Sequence, residues 1–182
     1  KVTALAVKEK VGDFDGKGEP TAAFLSFVSQ LVRFATGEDR IWDDPRALLT
    51  RAAGAWSAGT FRKAGEHLVK LTLNQAEDWR ESRLVLDIVT DDRPFLVDSV
   101  AAALTEVGKP LSFFVNAVVA CERDEKGKRR ASSSESKRES IIHAEMDPPL
   151  NEAEIEKLEA ELKRVLNDIA AAVDDWSQMH AR

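Results

Sequence analysis

The chain has 182 residues, 43% hydrophobic and 32% charged, enough for one ordinary soluble domain or two small ones. Its net charge of −6 excludes a broad nucleic-acid-binding face, and its single cysteine, Cys121, excludes a disulfide framework or a Cys-rich zinc site. Three histidines make a transition-metal site unexpected, and no apolar run approaches the ~20 residues that span a bilayer, so a cytoplasmic, non-membrane protein is expected.

The chain opens on Lys1 rather than Met, as expected for a piece of something longer. Residues 1–19 mix small apolar residues with Lys, Gly and Asp, and predict a flexible start. Asp13, Asp15 and Gly16 resemble the opening of a calcium loop, but the further ligands and the closing Glu are missing. From Pro20 the period turns helical. Phe24, Phe27, Val28 and Leu31 recur at spacings of three and four, and Gly37 supplies a left-handed stop. A second helix starts at Asp44 as N-cap with Pro45 at its first position, buries Leu48, Leu49, Ala52, Ala53 and Trp56, and ends at Gly59. The two helices are expected to pair, with Trp42 and Trp56 as bulky core fillers.

After Gly65 the period falls to two. His67, Val69, Leu71 and Leu73 alternate with Leu68, Lys70 and Thr72 in a half-buried strand, and the polar stretch 74–82 reads as a connection. Leu84, Leu86 and Ile88 alternate with Val85, Asp87 and Val89 in a second strand, which Asp91-Asp92-Arg93-Pro94 breaks. Leu96, Val100, Leu104 and Val107 then follow at helical spacing up to Gly108, and the Phe- and Val-rich run Leu111–Cys121 predicts a well-covered strand.

Residues 122–140 carry seven bases and five acids around Ser132-Ser133-Ser134, with no large apolar residue. Such a stretch cannot bury enough surface to offset its ordering entropy, which predicts an exposed, mobile hairpin tip. Ile141–Met146 restores a strand, stopped by Pro148-Pro149. Asn151 caps the last helix, whose stripe of Ile155, Leu158, Leu162, Val165, Leu166, Ile169, Val173 and Trp176 suits a sheet-covering helix, with a coiled coil as the alternative.

The order from residue 83 is strand, helix, strand, strand, helix. That is most of the split βαβ pattern of ferredoxin-like folds, and it predicts an α+β class with an antiparallel sheet covered by helices on one face. The closing strand is missing after the last helix: either it lies beyond the chain, or the strand at 66–73 takes an edge position. The organisation expected is a helical segment over 1–65 followed by an α+β domain over 66–182.

Few residues offer chemistry. Ser99 beside Asp98, with His143 elsewhere, lacks the glycines of a nucleophile elbow. Cys121 reads as a small core or edge residue, and His143 as a residue of an exposed sheet face or an interface. No Gly-rich phosphate loop occurs, so no nucleotide cofactor is expected in this chain, and no catalytic or metal-binding residue is assigned. One constellation stands apart: Asp91, Asp92, Arg93, Pro94, Phe95, Asp98 and Ser99 join a strand directly to a helix. Pro94 sets the turn, and the first helical amides point outward beside Asp98.

The element order and the Asp92-Arg93-Pro94 turn resemble an ACT domain, the amino-acid-sensing module of metabolic enzymes. The longer string Asp91-Asp92-Arg93-Pro94-Phe95-Leu96-Val97-Asp98-Ser99-Val100 is similar to the signature of the N-terminal ACT-like region of the large bacterial NAD-specific glutamate dehydrogenases. Arg123-Asp124 followed by Gly127, and Glu139-Ser140 leading into Ile142-His143-Ala144-Glu145-Met146-Asp147, agree in order. Asn116-Ala117 stands where that family usually has His-Pro, and Phe95 stands where sensing ACT domains carry Gly.

The resemblance implies a non-catalytic regulatory or assembly region of an enzyme that oxidises L-glutamate to 2-oxoglutarate and ammonium with NAD, the catalytic and NAD-binding parts lying downstream. It also implies homo-oligomers, the rest of the parent polypeptide as partner, and an amino-acid effector as a candidate ligand. Two alternatives remain: a free-standing ACT-type amino-acid-binding module of another enzyme, and a purely structural oligomerisation domain. Phe95 in place of Gly fills space that a ligand would use, so the turn is expected to serve structure or subunit contact, with Phe95 in a core or interface slot.

Overall fold

The computed structural model describes residues 5, 6, 8, 12–15, 17–34, 44–74, 82–108, 110–130, 137–146 and 151–180, with backbone alone for 174–180. Four long helices are present among them: α1 (Ala22–Phe34), α2 (Pro45–Ala58), α3 (Leu96–Glu106) and α4 (Glu152–His180). The strands are β1 (Leu68–Asn74), β2 (Arg83–Asp91), β3 (Leu111–Arg123), β4 (Arg129–Arg130) and β5 (Lys137–Met146). They form one sheet of order β1-β2-β5-β3-β4, every neighbouring pair antiparallel.

The elements β2-α3-β3-β5-α4 supply the split βαβ pattern without its last strand. β1 lies antiparallel beside β2, Leu71 opposite Leu86, and occupies the place of the closing strand from the front of the chain. Of the two alternatives for that strand, the edge position is the one adopted.

Both faces of the sheet are covered. Leu84, Leu86 and Ile88 of β2 and Ile142, Ala144 and Met146 of β5 pack against Leu96, Val100 and Leu104 of α3 and Leu158, Leu162 and Leu166 of α4. This is the expected helical face. The opposite face, with Val89, Ile141, Phe113, Val115, Ala117 and Val119, meets Phe24, Phe27 and Leu31 of α1 and Leu49, Ala52 and Trp56 of α2. Central strands buried on both sides read as nearly continuous apolar runs, which is why the alternation in β2 is so shallow.

The caps explain the helix boundaries. Asp44 accepts the Arg46 backbone N–H at 2.9 Å with Pro45 behind it, and Gly59 donates its N–H to the Ser57 and Trp56 carbonyls. Asn151 accepts the Glu154 N–H at 3.0 Å, and Gly108 follows α3 with a φ of +68°. Within α2 it is Ala55, with Ala52, that is fully buried, while Ala53 is half-buried. Trp56 is a core residue, its ring edge-on to Phe24 and tilted against Phe27. Gly37, Trp42, the connection 75–81 and Pro148-Pro149 lie outside the described residues, as does the Trp176 side chain.

Over 122–140 the described residues divide: Glu122, Glu125, Lys126, Lys128, Arg130, Lys137 and Arg138 are exposed, as expected of a tip, whereas Gly127, Arg129, Glu139 and Ser140 are buried. β3 continues to Arg123, and Asp124 closes a tight turn by accepting the Lys126 and Lys128 N–H groups at 3.0 and 2.9 Å. Arg129 is only 7% exposed and Glu139 only 2%. Glu139 is buried by charge matching with Arg62, from a distant segment, and with Arg123, whereas Arg129 is buried by stacking on the Trp56 ring; counting apolar residues misses both. Residues 131–136, including the serine run, lie outside the described residues.

Because Phe27 is wholly buried between α2 and the sheet, Phe27→Ala should lower stability by about 3–5 kcal/mol, read from the urea midpoint at constant m-value.

Candidate functional site

The predicted turn leaves the sheet at Asp91, where one side chain ties it to a buried ion cluster. Asp91 Oδ1 accepts from Arg62 Nη2 at 2.6 Å. The next residue holds the neighbouring strand: the Asp92 N–H donates to the Arg138 carbonyl at 3.0 Å, and its carboxylate faces the Arg138 guanidinium at 3.4 Å. Arg93 reaches the other way, donating from Nη1 to the Ala170 carbonyl of α4 at 3.2 Å. Pro94 leads to Phe95, the α3 N-cap, and the first helical bond runs from Ser99 N–H to the Phe95 carbonyl at 3.0 Å.

Phe95 adopts φ +65° and ψ −1°, the one positive φ at a non-glycine residue among those described. The turn therefore demands the left-handed conformation that glycine takes freely, at a cost of about 1–2 kcal/mol to a residue with a Cβ. The ring is 72% exposed, so the core slot expected for it is not where it sits. The neighbouring Leu96 and Val100 occupy the core instead.

Beside the ring is an open groove of about 880 Å³ lined by Pro94, Phe95, Ser99, Asp168, Ile169, Ala172 and Val173. Of the seven predicted residues, Pro94, Phe95 and Ser99 thus share one surface with α4. Asp91, Asp92 and Arg93 brace the turn from behind, and Asp98 is exposed on the first turn of α3.

The brace extends far from the turn in sequence. Glu139 Oε1 accepts from Arg62 Nη2 and from Arg123 Nε, each at 2.6 Å, and Oε2 accepts from Arg123 Nη2 at 2.9 Å. Arg62 also donates to the Glu66 carbonyl, and Arg123 to the carbonyls of Gly59 and Gly127. Burial alone would raise the Glu139 carboxyl, but the hydrogen bonds from Arg123 and Arg62 outweigh it and hold it down at about 2. Arg129 lies nearby over the Trp56 ring at 3.9 Å and donates to the Trp56 carbonyl at 2.9 Å.

A second cluster sits on the same face. His143 Nδ1 is 2.7 Å from Asp87 Oδ1, its Nε2 is 3.5 Å from Glu145 Oε1, and that oxygen accepts from Arg51 Nε of α2 at 2.5 Å. Burial opposes the charge on His143, yet the Asp87 and Glu145 carboxylates hold its pKa up at about 9. Of the two positions expected for His143, an exposed sheet face or an interface, the exposed face is corrected, since the residue is 2% exposed. The residue does alternate with Ile142, but the face opposite Ile142 is covered by α1 and α2.

No nucleophile set assembles. Ser99 belongs to α3 on one side of the sheet and His143 projects to the other, with Ile141. Cys121 is buried, and burial pushes its thiol up to about 11, so it is not a thiolate at neutral pH. Among the described residues no group of three His, Cys, Asp or Glu is arranged to hold a metal ion.

Sequence reasoning assigned no role to Arg51, Arg62, Asp87, Arg123, Glu139 or Glu145, although Arg123, Glu139 and Glu145 stand in the strings that carry the family resemblance. A physical signal existed for Asp87 and Glu145, which interrupt apolar strands at inward positions, where an isolated carboxylate is too costly without partners.

The two clusters dictate opposite pH limbs. Glu139, depressed from 4.5 to about 2, contributes stability that is complete above its ordinary pKa and is lost as pH falls toward 2. His143, raised from 6.5 to about 9, contributes stability that is complete below 6.5 and is lost as pH rises toward 9. Urea midpoints should plateau between those ordinary values and fall on both sides. Glu139→Gln should flatten the acid limb and His143→Gln the alkaline one, with the His143 ring titration followed directly by NMR.

The chain matches known proteins over a large part of its length. The family model for the ACT1 domain of glutamate dehydrogenase covers residues 27–162. The NAD-specific glutamate dehydrogenase of Halomonas elongata is 37% identical over 110 residues, 57% of this chain and 7% of that protein. The NAD-specific glutamate dehydrogenase of Pseudomonas aeruginosa is 26% identical over 110 residues, again 57% of this chain and 7% of that protein. No solved structure matches the chain significantly. The chain thus spans a small part of these relatives, and with three quarters of its length inside the family match, it belongs to the ACT1-domain family of glutamate dehydrogenases.

Proposed function

We propose that the chain is a non-catalytic regulatory and assembly module of a larger, cytoplasmic NAD-dependent glutamate dehydrogenase. The observation that carries this reading is the family match across 27–162, together with relatives in which the matched stretch is only 7% of the length. In this reading the parent converts L-glutamate, NAD and water to 2-oxoglutarate, ammonium and NADH, with NAD bound outside this chain. The absence of a Gly-rich βα turn in the sequence supports that division of labour. No described helix is long and apolar enough to cross a membrane.

The working surface proposed is the turn 91–99 with its groove. An exposed aromatic ring beside an apolar groove suits contact with another part of the assembly, within a homo-oligomer or along the parent chain. A second reading, an amino-acid effector at the turn, draws on the left-handed φ of Phe95, which shows a backbone already shaped for glycine.

Two outcomes test these readings. The isolated chain should form no NADH from glutamate and NAD, whereas the protein encoded by the whole reading frame should; a reading frame ending near residue 182 would remove the dehydrogenase assignment. Phe95→Gly should leave stability unchanged or raise it by up to about 1 kcal/mol, since strain relief competes with glycine's extra unfolded-state entropy. In the full-length enzyme the same change should weaken assembly, measured by sedimentation. Calorimetry showing tighter amino-acid binding by Phe95→Gly than by the parent would instead establish the effector reading.

A further inference from the structure

The outer edge of β3 carries a side chain in the place of a strand. Gln30, on α1, donates from Nε2 to the Val118 carbonyl at 2.8 Å and accepts the Val118 N–H on Oε1 at 2.9 Å. A carboxamide that both donates to and accepts from one residue reproduces what a neighbouring peptide would do in an antiparallel ladder. The same nitrogen also reaches Ser26 Oγ at 3.2 Å, which helps fix the side chain's direction on α1.

This pairing matters because β3 is otherwise a poorly protected edge. It has 13 residues and pairs with β5 along one side, whereas on the other side, among the described residues, β4 covers only Glu122 and Arg123. The N–H and C=O of Val118 point away from β5, so by the two-residue period those of Phe114 and Asn116 do as well. Neither residue has a backbone partner on that side among the described residues. From Leu111 to Cys121 there is no charged residue and no proline, the devices that usually guard an edge. The opposite edge of the sheet, β1, does carry such a guard in Lys70.

We propose that the Gln30 side chain is a plug that holds the β3 edge shut against a second copy of the chain. A second copy is the occupant that the edge itself specifies. The outward positions 114, 116 and 118 are evenly spaced about Asn116, so two antiparallel β3 strands centred there place Phe114 opposite Val118 in both directions. That register closes about six backbone hydrogen bonds, two per outward pair. Because the run is uncharged, no like charges oppose one another, although each whole chain carries −6. The proposal stands apart from the dehydrogenase assignment, since it uses only contacts within this chain.

Gln30→Ala and the length-conserving Gln30→Met test it by sedimentation of the 182-residue chain over a range of concentrations, with circular dichroism as the check on folding. Both variants should self-associate at least tenfold more tightly than the parent chain, and hydrogen exchange at the Phe114 and Asn116 amides should slow as the concentration rises. Adding Val118→Pro deletes the outward N–H at an edge position that tolerates proline, and it should return either variant to the parent's association state. Folded Gln30 variants that sediment like the parent overturn the proposal. Association that survives Val118→Pro, or leaves exchange at Phe114 and Asn116 unchanged, overturns it too, because the copies then meet elsewhere.

Discussion

Glu139 is the point on which this structure turns. One carboxylate, almost wholly buried, receives two guanidinium groups that come from different segments of the chain: Arg62 from the segment after α2 and Arg123 from the end of β3. Arg62 adds Asp91, the last residue of β2. Three separate connections of the fold are therefore clamped at one place, and the carbonyls of Gly59, Glu66 and Gly127 take further guanidinium protons. Taking one partner from such a buried set strands a charge in a low-dielectric site, which costs roughly 3–5 kcal/mol. Neutral, well-packed replacements of the whole set would forfeit far less. The cluster accordingly specifies how the segments meet more than it adds to net stability.

The same logic repeats at the other end of the α1–α2 face, where Arg51, Glu145, His143 and Asp87 tie α2 to β5 and β2. The two helical layers differ in kind. Between the sheet and α3–α4 the contact is built from Leu, Ile, Val, Ala and Met. Between the sheet and α1–α2 it is apolar in the middle and ionic at both ends. Apolar surfaces slide at small cost, whereas hydrogen-bonded ions allow few arrangements, so the ionic ends fix the register of α2 on the sheet.

That register sets the surface available for contact. The clamp on Asp91, together with Arg93 on α4 and Asp92 on β5, holds the turn where Phe95 takes a left-handed backbone with its ring in solvent. A strained, exposed aromatic held by three braces is unlike a surface loop that relaxes freely, and strain of this kind persists only where the surroundings over-determine it. On the far side of the sheet, Gln30 depends on the docking of α1 in the same way. The helix brings one amide to the single residue, Val118, whose outward backbone groups it can satisfy.

The sequence by itself determined the local elements and much of their order. Asp44-Pro45, Gly59, Gly108 and Asn151 mark helix ends because capping is settled within a few residues. The stripe of α4 and the periods of β1, β2 and β3 follow from which side chains avoid water. The turn 91–99 was legible as a motif, since its residues are contiguous. Only the tertiary structure decided which face each charge occupies and what it meets there. Arg62 and Glu139 lie 77 residues apart, and Gln30 and Val118 lie 88 apart, distances at which no local period operates. A charged residue reads as solvent-exposed until its partner is known, which is why 122–140 read as a tip and His143 as a surface residue. The position of Phe95 turned on the same limit. Its backbone angle and its exposure are imposed by Asp91, Arg93 and the helix it caps, and a side chain's identity carries no record of forces applied from the other side of a sheet.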